Sequence, residues 1–155
     1  MATNGIGASV RRKEDQRFIT GKGHYTDDIN VQGQAYAVFV RSPHAHAKIK
    51  GINKTNAEAL PGVIGVLDGK QLADDGIAPL ICGWAITQKN GEPHVAPAHP
   101  ALAVDRVRHV GDQVAVVVAE TLAQARDAAE AVEVDYEELP AVVDIAKALA
   151  DGAPQ

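Results

Sequence analysis

The residues best placed to do chemistry are two histidines one position apart, His44 and His46, in the stretch RSPHAHAKI over residues 41–49. On an extended strand, side chains two apart point the same way, so both imidazoles would face one ion. Two ligands do not complete a metal site. A third and fourth would have to come from His24, His94 or His99, and nothing in their spacing demands it. The simpler reading is structural: Ser42-Pro43 bends the chain as it leaves a strand, and the histidines hydrogen-bond backbone or partner groups.

Other candidates offer less. Glu133, Asp135, Glu137 and Glu138 are dense in carboxylate, but alternation puts the first two on a polar strand face, and no pocket that would raise a pKa is evident. Gly21-Lys22-Gly23 and Gly62-Val63-Ile64-Gly65 lack the spacing of a phosphate loop or of a dinucleotide fingerprint. Ser42 has no nucleophile elbow around it. Cys82 is the single cysteine, which excludes an intrachain disulfide and a cysteine-based metal site. It reads as a small buried hydrophobe.

The elements that would position these residues follow from periodicity. QAYAVFVR (34–41) is apolar on both faces and reads as a central strand. KIKGIN (48–53) is a weaker strand. Thr55 and Glu58 have capping-box spacing for a short helix that Pro61-Gly62 stops. GVIGVL (62–67) is a strand, and Asp68 caps a second short helix ended by Gly76. Short strands are expected at 102–104 and 106–110. QVAVVVA (113–119) is the strongest buried strand. Thr121 and Gln124 open the best helix, 121–131, with Leu122, Ala125, Ala129 and Val132 on one stripe. VEVDY (132–136) alternates, with Val132, Val134 and Tyr136 inward. Asp144 caps a last short helix that Gly152 can end.

Two regions escape this pattern. Residues 1–33, rich in Gly, Asp and charge, read as an extended N-terminal arm with turns at Gly21-Lys22-Gly23 and Asp27-Asp28. Residues 77–100 carry four prolines and read as a protruding excursion of the kind that contacts a partner, with Trp84, His94 and His99 as candidate contact residues. The main domain is expected over 34–150, with 151–155 the start of a linker.

Composition narrows the function classes. The chain has 155 residues, 46% hydrophobic and 23% charged, enough for a core of its own. A net charge of −5 and 4% aromatics exclude a basic, stacking nucleic-acid surface. No apolar segment follows Arg11-Arg12, so no signal peptide is read, and the longest aliphatic run, over residues 114–119, cannot cross a bilayer. A cytoplasmic protein is expected. Strands and short helices interleave without βαβ spacing, giving an α+β class with a mixed sheet and short flanking helices.

Five stretches in order, RRKEDQRFITGKGHYTDDI (11–29), AYAVFVRSPHAHAKI (35–49), PGVIGVLDGKQL (61–72), HPALAVDRVRHVGDQVAVVVAET (99–121) and AVEVDYEELPAVVD (131–144), carry a family likeness. The chain resembles the N-terminal α/β hammerhead domain of the molybdenum hydroxylase large subunit, the aldehyde oxidase, xanthine dehydrogenase and aerobic carbon monoxide dehydrogenase family. Its opening is most similar to the carbon monoxide dehydrogenase branch. The resemblance implies a parent oxidoreductase that hydroxylates aldehydes, purines or N-heterocycles with oxygen from water, or oxidises CO. It also implies a molybdopterin-type cofactor in the parent, with [2Fe–2S] clusters and FAD in partner subunits or domains. The family's pterin-binding and catalytic residues belong to the region after the hammerhead, so no catalytic, cofactor-binding or metal role passes to a residue here, His44 and His46 included. The expectation is a non-catalytic piece of that large subunit, packing on its molybdenum-binding domains and on the iron–sulfur and flavin subunits. The alternatives are a free-standing metal module using His44, His46 and a loop histidine, or a protein-interaction adaptor.

Overall fold

The seven residues QVAVVVA form β5 (Gln113–Ala119), about which the larger of two units is organised. The computed structural model describes residues 5–84 and 86–154, and the chain divides into units 1–34 and 35–155. In the larger unit β5 is the middle strand of a three-stranded antiparallel sheet. It is flanked by β1 (Tyr36–Arg41) and β3 (Val63–Asp68). Position 115, 117 and 119 side chains are small or β-branched and fully buried, and α4 (Leu122–Glu130) lies close to the strands β1 and β5. Each fully buried Val contributes roughly 1.5–3 kcal/mol.

Helix α4 starts where the sequence says. Thr121 Oγ1 accepts from the Gln124 amide at 3.2 Å and donates to Gln124 Oε1 at 2.8 Å. Its buried face is Ala125 and Ala128, continued by Val132 after the helix. Leu122, expected on that stripe, is 40% exposed, because small alanines let the helix sit close to the sheet and leave the first turn outside. The core cluster joins Ala57 of α2 (Thr55–Glu58), Val66 of β3, Ala115, Val117, Ala128 and Val132.

A second antiparallel sheet has β2 (Ala47–Asn53) in the middle, between β4 (Arg106–Val107) and β6 (Glu133–Glu138). Its core is Ala47, Ala103, Val107 and Val114, and Val40 and Val134 touch both clusters. The α+β class holds, but the expected mixed sheet is two separate sheets whose strand pairs are all antiparallel.

Several expected details change. Strand β1, read as central from its two apolar faces, is an edge strand with exposed and half-buried residues alternating. The weaker strand β2 is central. The capping box at Thr55 does not form; Asn53 Oδ1 accepts from the Thr55 amide at 3.2 Å instead. Asp68 does cap α3 (Gly69–Asp74), accepting from the Gln71 amide at 2.9 Å. Residues 102–104 form no strand, although Leu102 and Ala103 are buried, and the 106–110 strand is only two residues long. Asp144 caps α5 (Ile145–Ala148), which stops four residues before Gly152.

Unit 1–34 is less extended than expected. A one-turn helix, α1 (Asp15–Ile19), ends at Thr20 and is followed by Gly21 at φ +70°, and a 3₁₀ turn covers Thr26–Asp28. Phe18 stacks on Tyr25 with ring centroids 5.3 Å apart, and the Tyr25 amide donates to Asp28 Oδ2 at 2.8 Å. Neither short helix contains a buried residue.

Candidate functional site

The histidine segment starts where β1 meets a polar clamp. Ser42 is 2% exposed; its amide donates to Asp112 O at 2.8 Å and its carbonyl accepts from the Gly111 amide at 2.8 Å. Its hydroxyl then accepts from the His44 amide at 3.0 Å, so the turn through Pro43 is held by a side chain. His44 and His46 therefore lie in this bend, ahead of β2, and the alternation rule for strands does not govern them.

The two rings serve different partners. His44 Nδ1 lies 2.7 Å from Glu138 Oε1, and the ring meets Tyr136 edge-on at 4.9 Å. His46 Nδ1 lies 2.7 Å from the Pro140 carbonyl. A carbonyl only accepts, so Nδ1 carries the hydrogen and Nε2 is left as an acceptor. The Arg106 guanidinium donates to that Nε2 at 3.4 Å. The His46 carbonyl also accepts from the Leu139 amide at 2.9 Å. One imidazole thus ties the start of β2 to β4 and to the turn after β6. Among the described residues, no group of three or more His, Cys, Asp or Glu side chains is arranged to hold a metal ion.

Tyr136 is the polar group beneath this bend that sequence reading missed. Its Oη is buried and makes no regular hydrogen bond. Burial holds the phenol pKa above its ordinary value, opposed by the neighbouring Ser42 hydroxyl and reinforced by the Asp112 carboxylate. Alternation put Tyr136 inward correctly; what lay against it depended on pairing across the sheet. Outside the bend, a cleft of about 660 Å³ is lined by His46, Arg106, Arg108 and His109 on one side and by Val142 and Val143 on the other.

The carboxylates of β6 are dispersed. Glu133 accepts from Asn53 Nδ2 at 3.2 Å, Glu138 meets His44, and Glu137 bridges Lys48 at 2.9 Å and Lys50 at 3.2 Å. The two lysines hold the Glu137 carboxyl below its ordinary range. Glu133 and Asp135 both line a shallow pocket of about 390 Å³ over β2 and β6, while Glu137 and Glu138 lie outside it.

The excursion over residues 77–100 carries the remaining candidates. The Leu80 amide donates to His99 O at 2.8 Å at its base, and a tight turn at Gly91 lets the Gln88 amide reach Glu92 O at 2.8 Å. Trp84 is 73% exposed, His99 is exposed and His94 is half-buried. Cys82, expected to be buried, is exposed, and its Sγ lies 3.7 Å from His94 Nε2. Cys82 lies in the excursion, outside both core clusters, and the turn at Gly91 brings His94 back beside it. No helix here is long and apolar enough to cross a membrane, among the described residues.

A family model for the aldehyde oxidase and xanthine dehydrogenase a/b hammerhead domain matches residues 20–140. The chain is 42% identical over 149 residues to the nicotine 6-hydroxylase large subunit of Paenarthrobacter nicotinovorans, covering 96% of this chain and 18% of that protein. It is also 42% identical over 150 residues to the carbon monoxide dehydrogenase large chain of Afipia carboxidovorans, covering 97% of this chain and 17% of the relative. Among solved structures, quinoline 2-oxidoreductase from Pseudomonas putida superimposes with a TM-score of 0.79 at 42% identity, over 93% of this chain and 18% of that one. The chain thus spans less than a fifth of the length of the relatives it matches. Equal identity to a nicotine hydroxylase and a carbon monoxide dehydrogenase does not select a branch.

Proposed function

Because the chain belongs to the aldehyde oxidase and xanthine dehydrogenase a/b hammerhead family, we propose that it is a non-catalytic structural domain of a molybdenum hydroxylase large subunit. The family uses a molybdenum cofactor. In this reading the cofactor is held by other parts of the same polypeptide, where it supplies oxidation of the substrate. The electron carriers, [2Fe–2S] and FAD, sit in partner subunits or domains. The parent oxidises an aldehyde, a purine, another N-heterocycle or CO. Trp84, His94 and His99 are partner-contact residues of the excursion, residues 34–150 are the hammerhead body, and the enzyme works in the cytoplasm.

The observation that carries the structural role is the use made of the histidine bend. His44 and His46 are the residues most suited to chemistry, and three of their four ring nitrogens are taken up by Glu138, Pro140 O and Arg106, with no shared point between the rings. A ligand to a metal needs a free lone pair aimed at a shared point. Here the rings instead fasten β2, β4 and β6 together.

The test is the size of the native polypeptide. An immunoblot of the source organism's extract, with antibody raised against this chain, is expected to show a band several times larger than 16.3 kDa. Purification of that polypeptide is expected to bring iron–sulfur and flavin absorbance with it. A native band at the chain's own mass overturns the reading.

A further inference from the structure

The first sheet has one face that no described element of the larger unit finishes. Antiparallel partners share a face, and Phe39, Val116 and Leu67 lie side by side across β1, β5 and β3. The next row on that face is Ala37, Val118 and Gly65, and a side chain added at Gly65 would meet nothing within 4 Å. The face that carries Val117 is covered by the core cluster. The face that carries Val116 opens into a groove of about 530 Å³, walled by Ile77 and Leu80 from the excursion. Phe39 is 43% exposed, Ile77 57% and Leu80 63%. Further along the excursion, Ile81 and Trp84 are 94% and 73% exposed. Scattered apolar residues need no explanation, but an apolar groove with exposed walls marks an interface.

We infer that this groove is the seat on which the remainder of the same large-subunit polypeptide packs, with Phe39 and Leu80 as its anchors. The inference rests on the reading under Proposed function and adds the face. Three observations choose the occupant. More than four fifths of the length of each relative lies outside the stretch this chain matches, so in those relatives a large mass of protein is tethered to the matching domain. The groove is almost wholly apolar, with Asp75 and Gln113 its only polar side chains, which suits a permanent intramolecular contact. The opposite choice, the outer surface of the second sheet, is already finished with the Lys48, Lys50 and Glu137 ion pairs.

The test uses the complete native polypeptide with a photo-cross-linking phenylalanine analogue placed at Phe39, at Leu80 and, as a control on the polar side of α4, at Asp127. Expected is capture at the first two positions, several-fold above Asp127, with the linked peptides mapping to the remainder of the same polypeptide. Capture of a different subunit or of a second copy, or yields no higher than at Asp127, overturns the inference while leaving the domain assignment intact. A native polypeptide of 16.3 kDa overturns both.

Discussion

The two sheets of this domain have three strands each and are finished in opposite ways. The second buries Ala47 and Val107 on one side and presents lysines and glutamates on the other. The first is apolar on both sides, with helix α4 and the core cluster against one side only. An antiparallel sheet that faces water on one side is expected to alternate apolar and polar, and the second sheet does so. The first sheet's pattern is that of a sheet covered twice. The difference teaches where this domain ends as a folded object and where it continues as an interface.

The sharpest way to break that comparison is to truncate neighbours on opposite faces of β5. Val117 is fully buried and Val116 is not. Val117→Ala is expected to cost about 2–3 kcal/mol in urea unfolding of the 155-residue chain, since it removes buried methyls and leaves a cavity. Val116→Ala is expected to cost less than about 1 kcal/mol in the same chain, because water already reaches that face. In the complete polypeptide the two losses should converge. Equal losses in the short chain would mean that both faces are already covered.

A smaller effect separates the sheets by their ion pairs. Lys54 Nζ lies 2.8 Å from Asp68 Oδ2, with side chains 21% and 16% exposed. Burial pushes the Asp68 carboxyl up, but the Lys54 ammonium and the amides of Gln71 and Lys70 outweigh it and leave its pKa below the ordinary value. A depressed carboxylate stabilises the fold above its unfolded pKa and loses that contribution as pH falls through the folded one. Asp68→Asn keeps a capping side chain and removes the charge, so it should cost about 1 kcal/mol near pH 7. The gap to wild type should be flat down to about pH 5 and close below about pH 4. Asp68→Ala, which also removes the cap of α3, should cost about 2 kcal/mol. A gap that persists at low pH would assign the effect to packing and not to charge.

How much of this was readable beforehand depends on whether the cause was local. Strand β5, the Thr121 cap of α4 and the Asp68 and Asp144 caps are set by residues a few positions apart, and the sequence shows them. Strand order is set by pairing across 47 to 91 positions, and there the reading failed. The two apolar faces of β1 were a true signal, read as centrality when they belong to an edge strand on an open face. The rings of His44 and His46 were visible as polar scaffold, but Glu138, Pro140 and Arg106 as their partners were not. The exposure of Cys82 is non-local too: it lies in the excursion, outside both core clusters, which its neighbours in sequence do not show.

The inner side of the second sheet can be tested with the least invasive change available. Tyr136 Oη is buried and without a regular partner, at a desolvation cost that Phe would not carry. Tyr136→Phe should therefore be neutral or stabilising by up to about 1 kcal/mol. With the phenol pKa raised in the fold, wild type should lose stability as pH rises past about 10, and the Phe variant should lose less. A clear loss of stability on Tyr136→Phe would mean that Ser42 holds the hydroxyl after all.

The smallest expected effect lies on the outer surface of the second sheet, and its smallness is the point. Glu137 is 43% exposed and sits between Lys48 and Lys50, which hold its carboxyl below its ordinary value. Exposed pairs of this kind are screened by salt and opposed by side-chain entropy. Glu137→Gln should leave the unfolding midpoint of the short chain unchanged at physiological salt, with a small loss visible only at low ionic strength. It should be equally silent in the complete polypeptide, because a face closed by mobile ion pairs faces water in both. If Glu137→Gln weakened only the complete polypeptide, the charged ladder would be a buried interface and the roles assigned to the two sheets would have to be exchanged.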